Sequence, residues 1–210
     1  ESMTTHARVL LAASALLAIL ALAARPATAG EIAIEAQAGY FHMAASNSAS
    51  ALFDSSGGGT FGGAVRYTFW RGAFVSAGAR TFSKEGERVF VATPNSVVQR
   101  LGFPLSIRLT SIFATVGYRF RNGNLIVPYV GAGASITSYK EESDVAGEAF
   151  NTDSSKAGFL GAAGVEIGRG TFRFGAEAGY SAVPSALGLG GVSKVYGEDG
   201  LGGTYVIGKL

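Results

Sequence analysis

Apolar and polar residues alternate with a period of two through most of the chain after residue 30. In residues 60–69, for example, Phe61 and Val65 fall on one face, whereas Thr60 and Arg66 fall on the other. This period is typical of β-strands, whose successive side chains point to opposite faces. It predicts eight strands, over residues 32–41, 60–69, 73–83, 112–120, 125–138, 159–167, 172–180 and 201–210. Both faces of the eighth strand carry apolar side chains, so its register stays open.

The joints between these strands alternate between short and long. The short joints lie around Arg71-Gly72, residues 121–124 and Gly170. In the second of them, Asn122-Gly123 predicts a type I′ hairpin, because both central residues of that turn take positive φ. The long joints cover residues 44–58, 84–106, 139–156 and 182–200, and the second predicts a hairpin that continues its two strands. Short turns at one end and long loops at the other indicate an all-β fold, an eight-stranded antiparallel up-and-down transmembrane β-barrel.

Charged side chains within the predicted strands occupy one face only, together with Gly, Ser and Thr. They are Glu35, Arg66, Arg80, Arg119, Glu166, Arg173 and Glu177. In a water-soluble barrel such charges would face outward, whereas an Arg that faces hydrocarbon at mid-bilayer costs about 2–4 kcal/mol. We therefore predict that these side chains form a charge network in the lumen of a barrel whose outer face contacts lipid. Aromatic residues near the strand ends, such as Trp70 and Tyr180, fit the interfacial girdles of such barrels.

Composition and charge exclude several other classes of protein. Charged residues make up 15% of the 210 residues, and mean hydropathy is +0.28, which argues against a disordered chain. A net charge of +2 gives no basic field, so no nucleic-acid partner is predicted. Because the chain has no Cys, disulfides and Cys-ligated metals are excluded. We predict no catalytic, cofactor-binding or metal-binding residues and no cofactor.

The N-terminal segment is similar to a secretory signal peptide. Arg8 precedes an apolar run from Val9 to Ala24, and Ala27-Thr28-Ala29 offers a small-x-small cleavage site. The run has 16 residues, whereas a membrane-spanning helix needs about 20. We expect residues 1–29 to be removed and residues 30–210 to form the outer-membrane β-barrel domain.

Two short motifs carry a resemblance to a known family. Gly117-Tyr118-Arg119-Phe120 precedes a tight turn, and Pro128-Tyr129-Val130-Gly131-Ala132-Gly133 follows it. With these motifs, residues 30–210 resemble the outer-membrane β-barrel superfamily of OmpA-like and opacity-protein-like surface proteins. The resemblance implies a bacterial outer-membrane location, contact with outer-membrane lipid and insertion by the outer-membrane assembly machinery. In such proteins that machinery reads an aromatic residue at the end of the last strand, where this chain has Leu210.

Two functions from different classes remain open on the sequence. The first is a structural or surface-interaction protein with a charged, side-chain-filled lumen, whose long loops bind an unknown extracellular ligand, since binding residues concentrate on loops held by a rigid scaffold. The alternative is a small channel or transport protein for ions or hydrophobic solutes, which pass through the lumen or sideways into lipid. Partner exchange among the lumen charges would open the path for ions.

Catalysis and cation binding have weaker support. His42 lies near Ser46 and Ser48, but no acidic residue is placed to orient it as a nucleophile's base requires, so we expect no enzyme activity. The third long joint is acidic, but its spacing matches no calcium-binding loop. Its acidic residues are Glu141, Glu142, Asp144, Glu148 and Asp153.

Overall fold

The chain folds into a closed antiparallel β-barrel of eight strands in sequential order, which confirms the predicted fold. The structure is a computed structural model and describes residues 30–120, 125–143, 152–169, 172–187 and 190–210. Its strands are β1 (Glu31–Met43), β2 (Gly57–Thr68), β3 (Ala73–Phe90), β4 (Gln99–Arg119), β5 (Ile126–Ser143), β6 (Thr152–Arg169), β7 (Phe172–Ala182) and β8 (Gly203–Lys209). Among the described residues, no helix is long and apolar enough to cross a membrane.

Each strand presents an apolar outer face and a mixed inner face. In β1, Ile32 and Ile34 are exposed on the outside of the barrel, whereas Glu35 and Gln37 are buried inside it. This is the facing that the alternation predicts, because neighbouring strand residues point to opposite sides. The remaining strands follow the same rule, so the lumen receives every charged residue placed there by the sequence.

The register of β8, left open by the sequence, is determined by its two neighbours. Tyr205 pairs with Phe41 of β1 and with Gly179 of β7, and its side chain is buried. The inner face of β8 therefore carries Tyr205, Ile207 and Lys209. The pairing with β1 continues to Leu210, whose backbone exchanges hydrogen bonds of 3.0 and 2.9 Å with Ala36.

The strands β3 to β6 continue beyond the other four at the long-joint end. β3 and β4 form the predicted hairpin and are joined by residues 91–98, with a register shift between Glu87 and Val89. Three predicted features lie outside the described residues: residues 1–29, the Asn122-Gly123 turn and the joint at Gly170.

Two short helices lie within the long joints, and the sequence did not predict either. They are α1 (Ser46–Phe53) in the first joint and α2 (Gly191–Tyr196) in the fourth. Ala49 and Phe53 of α1 are buried against the inner faces of the strands, so this helix covers the barrel mouth. Segments of eight and six residues are too short to establish a helical period in the sequence.

The turn between β2 and β3 requires glycine at position 72. Gly72 has a φ of 107°, and a Cβ added there would lie 2.2 Å from the carbonyl oxygen of Arg119. We expect Gly72→Ala to lower the free energy of unfolding by about 1–3 kcal/mol, measured by urea titration of the refolded barrel in micelles. Gly161→Ala in β6 is the control, because no atom lies within 4 Å of its added Cβ. Equal losses at the two positions would contradict this explanation.

Candidate functional site

The half of the lumen nearer the short joints holds a continuous chain of ion pairs, called here the lumen charge network. It contains the seven predicted residues, Glu35, Arg66, Arg80, Arg119, Glu166, Arg173 and Glu177, and two that the sequence analysis missed, Glu31 and Lys209. Its ion pairs link the residues in the order Arg173, Glu31, Arg119, Glu166, Arg66, Glu35, Lys209, Glu177 and Arg80. The structure therefore places all seven predicted side chains in one connected set.

Glu166 is the anion that two buried arginines share. One carboxylate oxygen pairs with Arg66 Nη1, and the other lies 2.5 Å from Arg119 Nη2. Arg119 has 0% exposure and also lies 3.4 Å from Glu31 Oε2. Because a buried charge is tolerated only when it is paired, Glu166 holds two cations together from across the barrel.

Glu177 organises the middle of the lumen in the same way. Its carboxylate pairs with Lys209, accepts a 2.8 Å hydrogen bond from the Tyr129 hydroxyl, and lies 3.8 Å from Arg80 Nη2. Lys209 Nζ is also 3.3 Å from Glu35 Oε2. Lys209 thus connects the Glu177–Arg80 pair to the rest of the lumen charge network.

Arg80 lies at the boundary between charged and apolar surroundings. Its guanidinium carbon is 4.1 Å from the centre of the Tyr205 ring and 5.4 Å from that of Phe113. It also donates a 3.1 Å hydrogen bond to Gln37 Oε1. Arginine can bridge these surroundings because its flat cation both stacks on rings and donates hydrogen bonds.

Apolar side chains fill the half of the lumen nearer the long joints. The Phe41 and Phe82 rings meet edge to face, with centroids 5.2 Å apart, and α1 packs against them from above. We call this group the apolar plug; it comprises Phe41, Met43, Ala49, Phe53, Phe82, Leu105, Ile107, Leu109, Tyr139, Val183, Leu201, Tyr205 and Ile207. The alternation predicts that charged residues share the inner face with Gly, Ser and Thr, and this apolar layer was not predicted.

Two cavities in the middle of the barrel are small. One of about 50 Å³ borders the apolar plug, and one of about 30 Å³ lies within the charged half. Arg80, Phe113, Leu160 and Tyr205 line both and separate them. Cavities of this size hold a few water molecules, whereas a hydrated ion needs more room.

A cleft borders the charged half of the lumen near the ends of β1, β7 and β8. There β8 ends at Lys209, and this cleft of about 710 Å³ between β1 and β7 opens onto Glu35, Glu166 and Arg173. The closure of the lumen therefore depends on the apolar plug rather than on the lumen charge network.

The described residues contain no catalytic arrangement around His42. Its Nδ1 lies 3.2 Å from Ser56 Oγ, whereas Ser48, which the sequence analysis placed near it, donates a 2.5 Å hydrogen bond to Glu198. No carboxylate contacts His42 in this part of the chain. Nor do the described residues include a group of three His, Asp or Glu side chains that could hold a metal ion.

Two acidic residues of the third long joint are paired with cations, and Glu142 is exposed. Glu141 lies 3.6 Å from Arg88, and Asp153 lies 3.6 Å from Lys140. Asp144 and Glu148 fall outside the described residues.

The two missed members of the lumen charge network left different signals in the sequence. Glu31 shares a strand face with Glu35, four residues on, so the period of two could have found it. Lys209 follows Ile207 on the inner face of β8, but apolar residues on both faces of that strand concealed its facing.

Comparisons with solved structures agree with the fold. Neisserial surface protein A is 15% identical with a TM-score of 0.52, over 87% of this chain and 97% of that chain. The Ail attachment invasion locus protein of Yersinia pestis, solved in complex with the heparin analogue sucrose octasulfate, is 18% identical with a TM-score of 0.48, over 87% and 97%. The N-terminal β-barrel domain of Pseudomonas aeruginosa OprF is 14% identical with a TM-score of 0.43, over 86% and 98%. At 15% identity, the likeness to Neisserial surface protein A shows the fold alone.

A family match covers most of the chain. The family described as Outer membrane protein beta-barrel domain matches residues 10–185, whereas no curated protein matches the chain. An apolar outer face and a charged inner face are the arrangement that a barrel in lipid requires. The chain belongs to the outer membrane protein β-barrel family and is a protein of the bacterial outer membrane.

Proposed function

We propose that this protein is a non-conducting outer-membrane anchor that presents an extracellular binding platform. The observation that carries the proposal is the apolar plug, which fills the extracellular half of the lumen beneath α1. Moving an ion through apolar surroundings is costly, because its hydration is lost and nothing replaces it. The plug therefore favours a structural or surface-interaction role over transport.

The binding platform is the part of β3 and β4 that continues beyond the membrane. Its tip exposes the large apolar side chains Phe90, Val97, Leu101 and Phe103. Grouped apolar residues on an otherwise polar extracellular surface are typical of sites for protein partners. A surface-interaction role uses this hairpin, and the barrel holds it in place.

Planar-bilayer recording of the refolded residues 30–210 tests the proposal. We expect no regular current steps, because the apolar plug leaves no hydrated path through the extracellular half. A double variant, Phe41→Ala with Phe82→Ala, removes two neighbouring rings of the plug and is expected to produce current events. Regular single-channel steps from the unaltered protein would overturn the anchor proposal.

A small ion channel is the second candidate. The observation in its favour is that Glu166 and Lys209 each contact two partners of opposite charge, so ion pairs can be exchanged within the lumen charge network. Glu177→Ala separates the candidates. In a channel this substitution changes the single-channel current. In a non-conducting anchor it produces no current and only lowers the free energy of unfolding.

We propose also that the first 29 residues are a signal peptide removed on export, leaving the barrel domain of residues 30–210. The Arg8 charge, the apolar run and the small residues at 27–29 support this. N-terminal sequencing of the protein from outer membranes should then begin at Gly30. A product that retains the run from Val9 to Ala24 would contradict it.

We propose no catalytic role for the protein. The contact of His42 with Ser56 lacks a carboxylate to orient the imidazole, which nucleophilic catalysis needs. Lipid extracts from cells with and without the protein should carry the same acyl chains, and removal or transfer of an acyl chain would contradict this.

A further inference from the structure

A separate cavity of about 200 Å³ lies at the extracellular mouth of the barrel, between α1, α2 and the strands β3 to β5. We call it the mouth cavity. Most of its wall is apolar, with Ala49 and Leu52 from α1, Leu105 and Ile107 from β4, and Val192 from α2. No member of the lumen charge network lines it, so its contents do not depend on the ion pairs below.

One side of the mouth cavity is polar. Arg88 Nη2 lies 3.6 Å from Glu141 Oε1, and the Tyr139 hydroxyl donates a 2.5 Å hydrogen bond to Glu141 Oε2. These residues lie beyond the strand segments that the sequence predicts, 73–83 and 125–138. Burial raises the pKa of the Tyr139 hydroxyl, and the Glu141 carboxylate raises it further, so this group stays a hydrogen-bond donor. At one end of the apolar cavity, the Arg88 guanidinium thus lies next to the Glu141 carboxylate.

Two helices cover the mouth cavity from outside, and Glu198 holds their loops together. Its carboxylate accepts hydrogen bonds from the backbone N–H groups of Asn47 and Ser48 at 3.0 and 2.9 Å. This contact pairs a negative charge with the positive end of α1, which stabilises the cover. A cavity of this size beneath two helices fits a small molecule rather than a folded protein partner.

We propose that the mouth cavity binds a small amphiphile, a single aromatic ring or a short aliphatic chain that carries one polar group. The size follows from the volume, since an apolar cavity of about 150 Å³ binds benzene. The apolar wall provides affinity by removing the ring or chain from water, and the Arg88–Glu141 end orients the polar group. This ligand site goes beyond the anchoring function and borders the apolar plug, with which it shares Ala49, Leu105 and Ile107.

Binding can be measured by ¹⁹F NMR with two probes, 4-fluorobenzyl alcohol and trifluorooctanoate, on the protein in lipid nanodiscs with empty nanodiscs as baseline. We expect saturable binding of at least one probe. Ala49→Leu and Val192→Phe fill the cavity from two different helices, and each is expected to weaken binding at least about tenfold, equivalent to about 1.4 kcal/mol. Ala132→Leu on the lipid-facing side of β5 is the matched control and should bind as the unaltered protein does.

Two results would overturn the proposal: no saturable binding of either probe, or unchanged binding in both filling variants. A heat-dependent mobility shift on gels establishes that each variant is a folded barrel. Weaker binding by a variant that shows this shift therefore does not result from a failure to fold. The test is also separate from the anchor proposal, because current steps in bilayers would overturn the anchor and leave these binding results unchanged.

Discussion

Glu166→Ala is expected to destabilise the barrel by about 3–5 kcal/mol, because it removes one partner from buried ion pairs. The carboxylate is shared by Arg66 and Arg119, whose side chains are 5% and 0% exposed. After the substitution, the anionic partner left to Arg66 among the described residues is Glu35 at 3.1 Å. Arg119 keeps Glu31 at 3.4 Å and a 3.3 Å hydrogen bond to the Thr68 hydroxyl. Excess positive charge then stays in a lumen where little water can solvate it.

Urea titration of the refolded barrel, followed by Trp70 fluorescence and by gel mobility, measures this loss. The matched control is Asp153→Asn, which removes one carboxylate from an exposed ion pair with Lys140. Surface ion pairs contribute only about 0–1 kcal/mol, so the control should change little. Similar losses for the two variants would contradict the assignment of Glu166 as the central anion of the lumen.

Val116→Arg is expected to lower the free energy of unfolding by up to about 2–4 kcal/mol, because it places a cation on the lipid-facing surface of the barrel. Val116 is 64% exposed on the outer face of β4. The control is Val97→Arg, the same substitution at a residue that is 83% exposed in the extracellular turn of the β3–β4 hairpin. At this position the new side chain is solvated by water, and we expect the free energy of unfolding to change by no more than about 0.5 kcal/mol.

The comparison of the two arginine variants is made by urea titration in lipid vesicles. Exposure to solvent is high at both positions in the isolated barrel, so only the surrounding medium distinguishes them. Equal stability of the two variants would show that the outer face of β4 lies in water, and the facing of the whole barrel would then be wrong.

The strands and their facing were predictable because one simple rule governs them. Ile32 and Ile34 had to face away from Glu35 in any strand, and the lipid determines which face is outside. The same rule failed for β8, where Val206 and Ile207 are both apolar and only the pairing with β1 and β7 distinguishes them. Lys209 was missed for that reason.

The cover and the apolar plug were not predictable, because contacts distant in sequence produce them. Helix α1 is held at its N-terminus by Glu198, which lies 151 residues from Asn47. Phe41 and Phe82 meet across the lumen from strands whose mutual position the alternation does not give. A local pattern reports which face a residue takes, but not which distant side chain it meets.

The labelling rate of a single cysteine in the lumen tests the closed lumen most directly, since the chain contains no Cys of its own. Ser135 is buried and lines the 50 Å³ cavity, so Ser135→Cys fits without displacing the plug. In vesicles, a charged, water-soluble methanethiosulfonate should label it at least about a hundredfold more slowly than Val97→Cys in the exposed turn, because access requires local opening. Comparable rates at the two positions would mean an open aqueous lumen and would contradict the account.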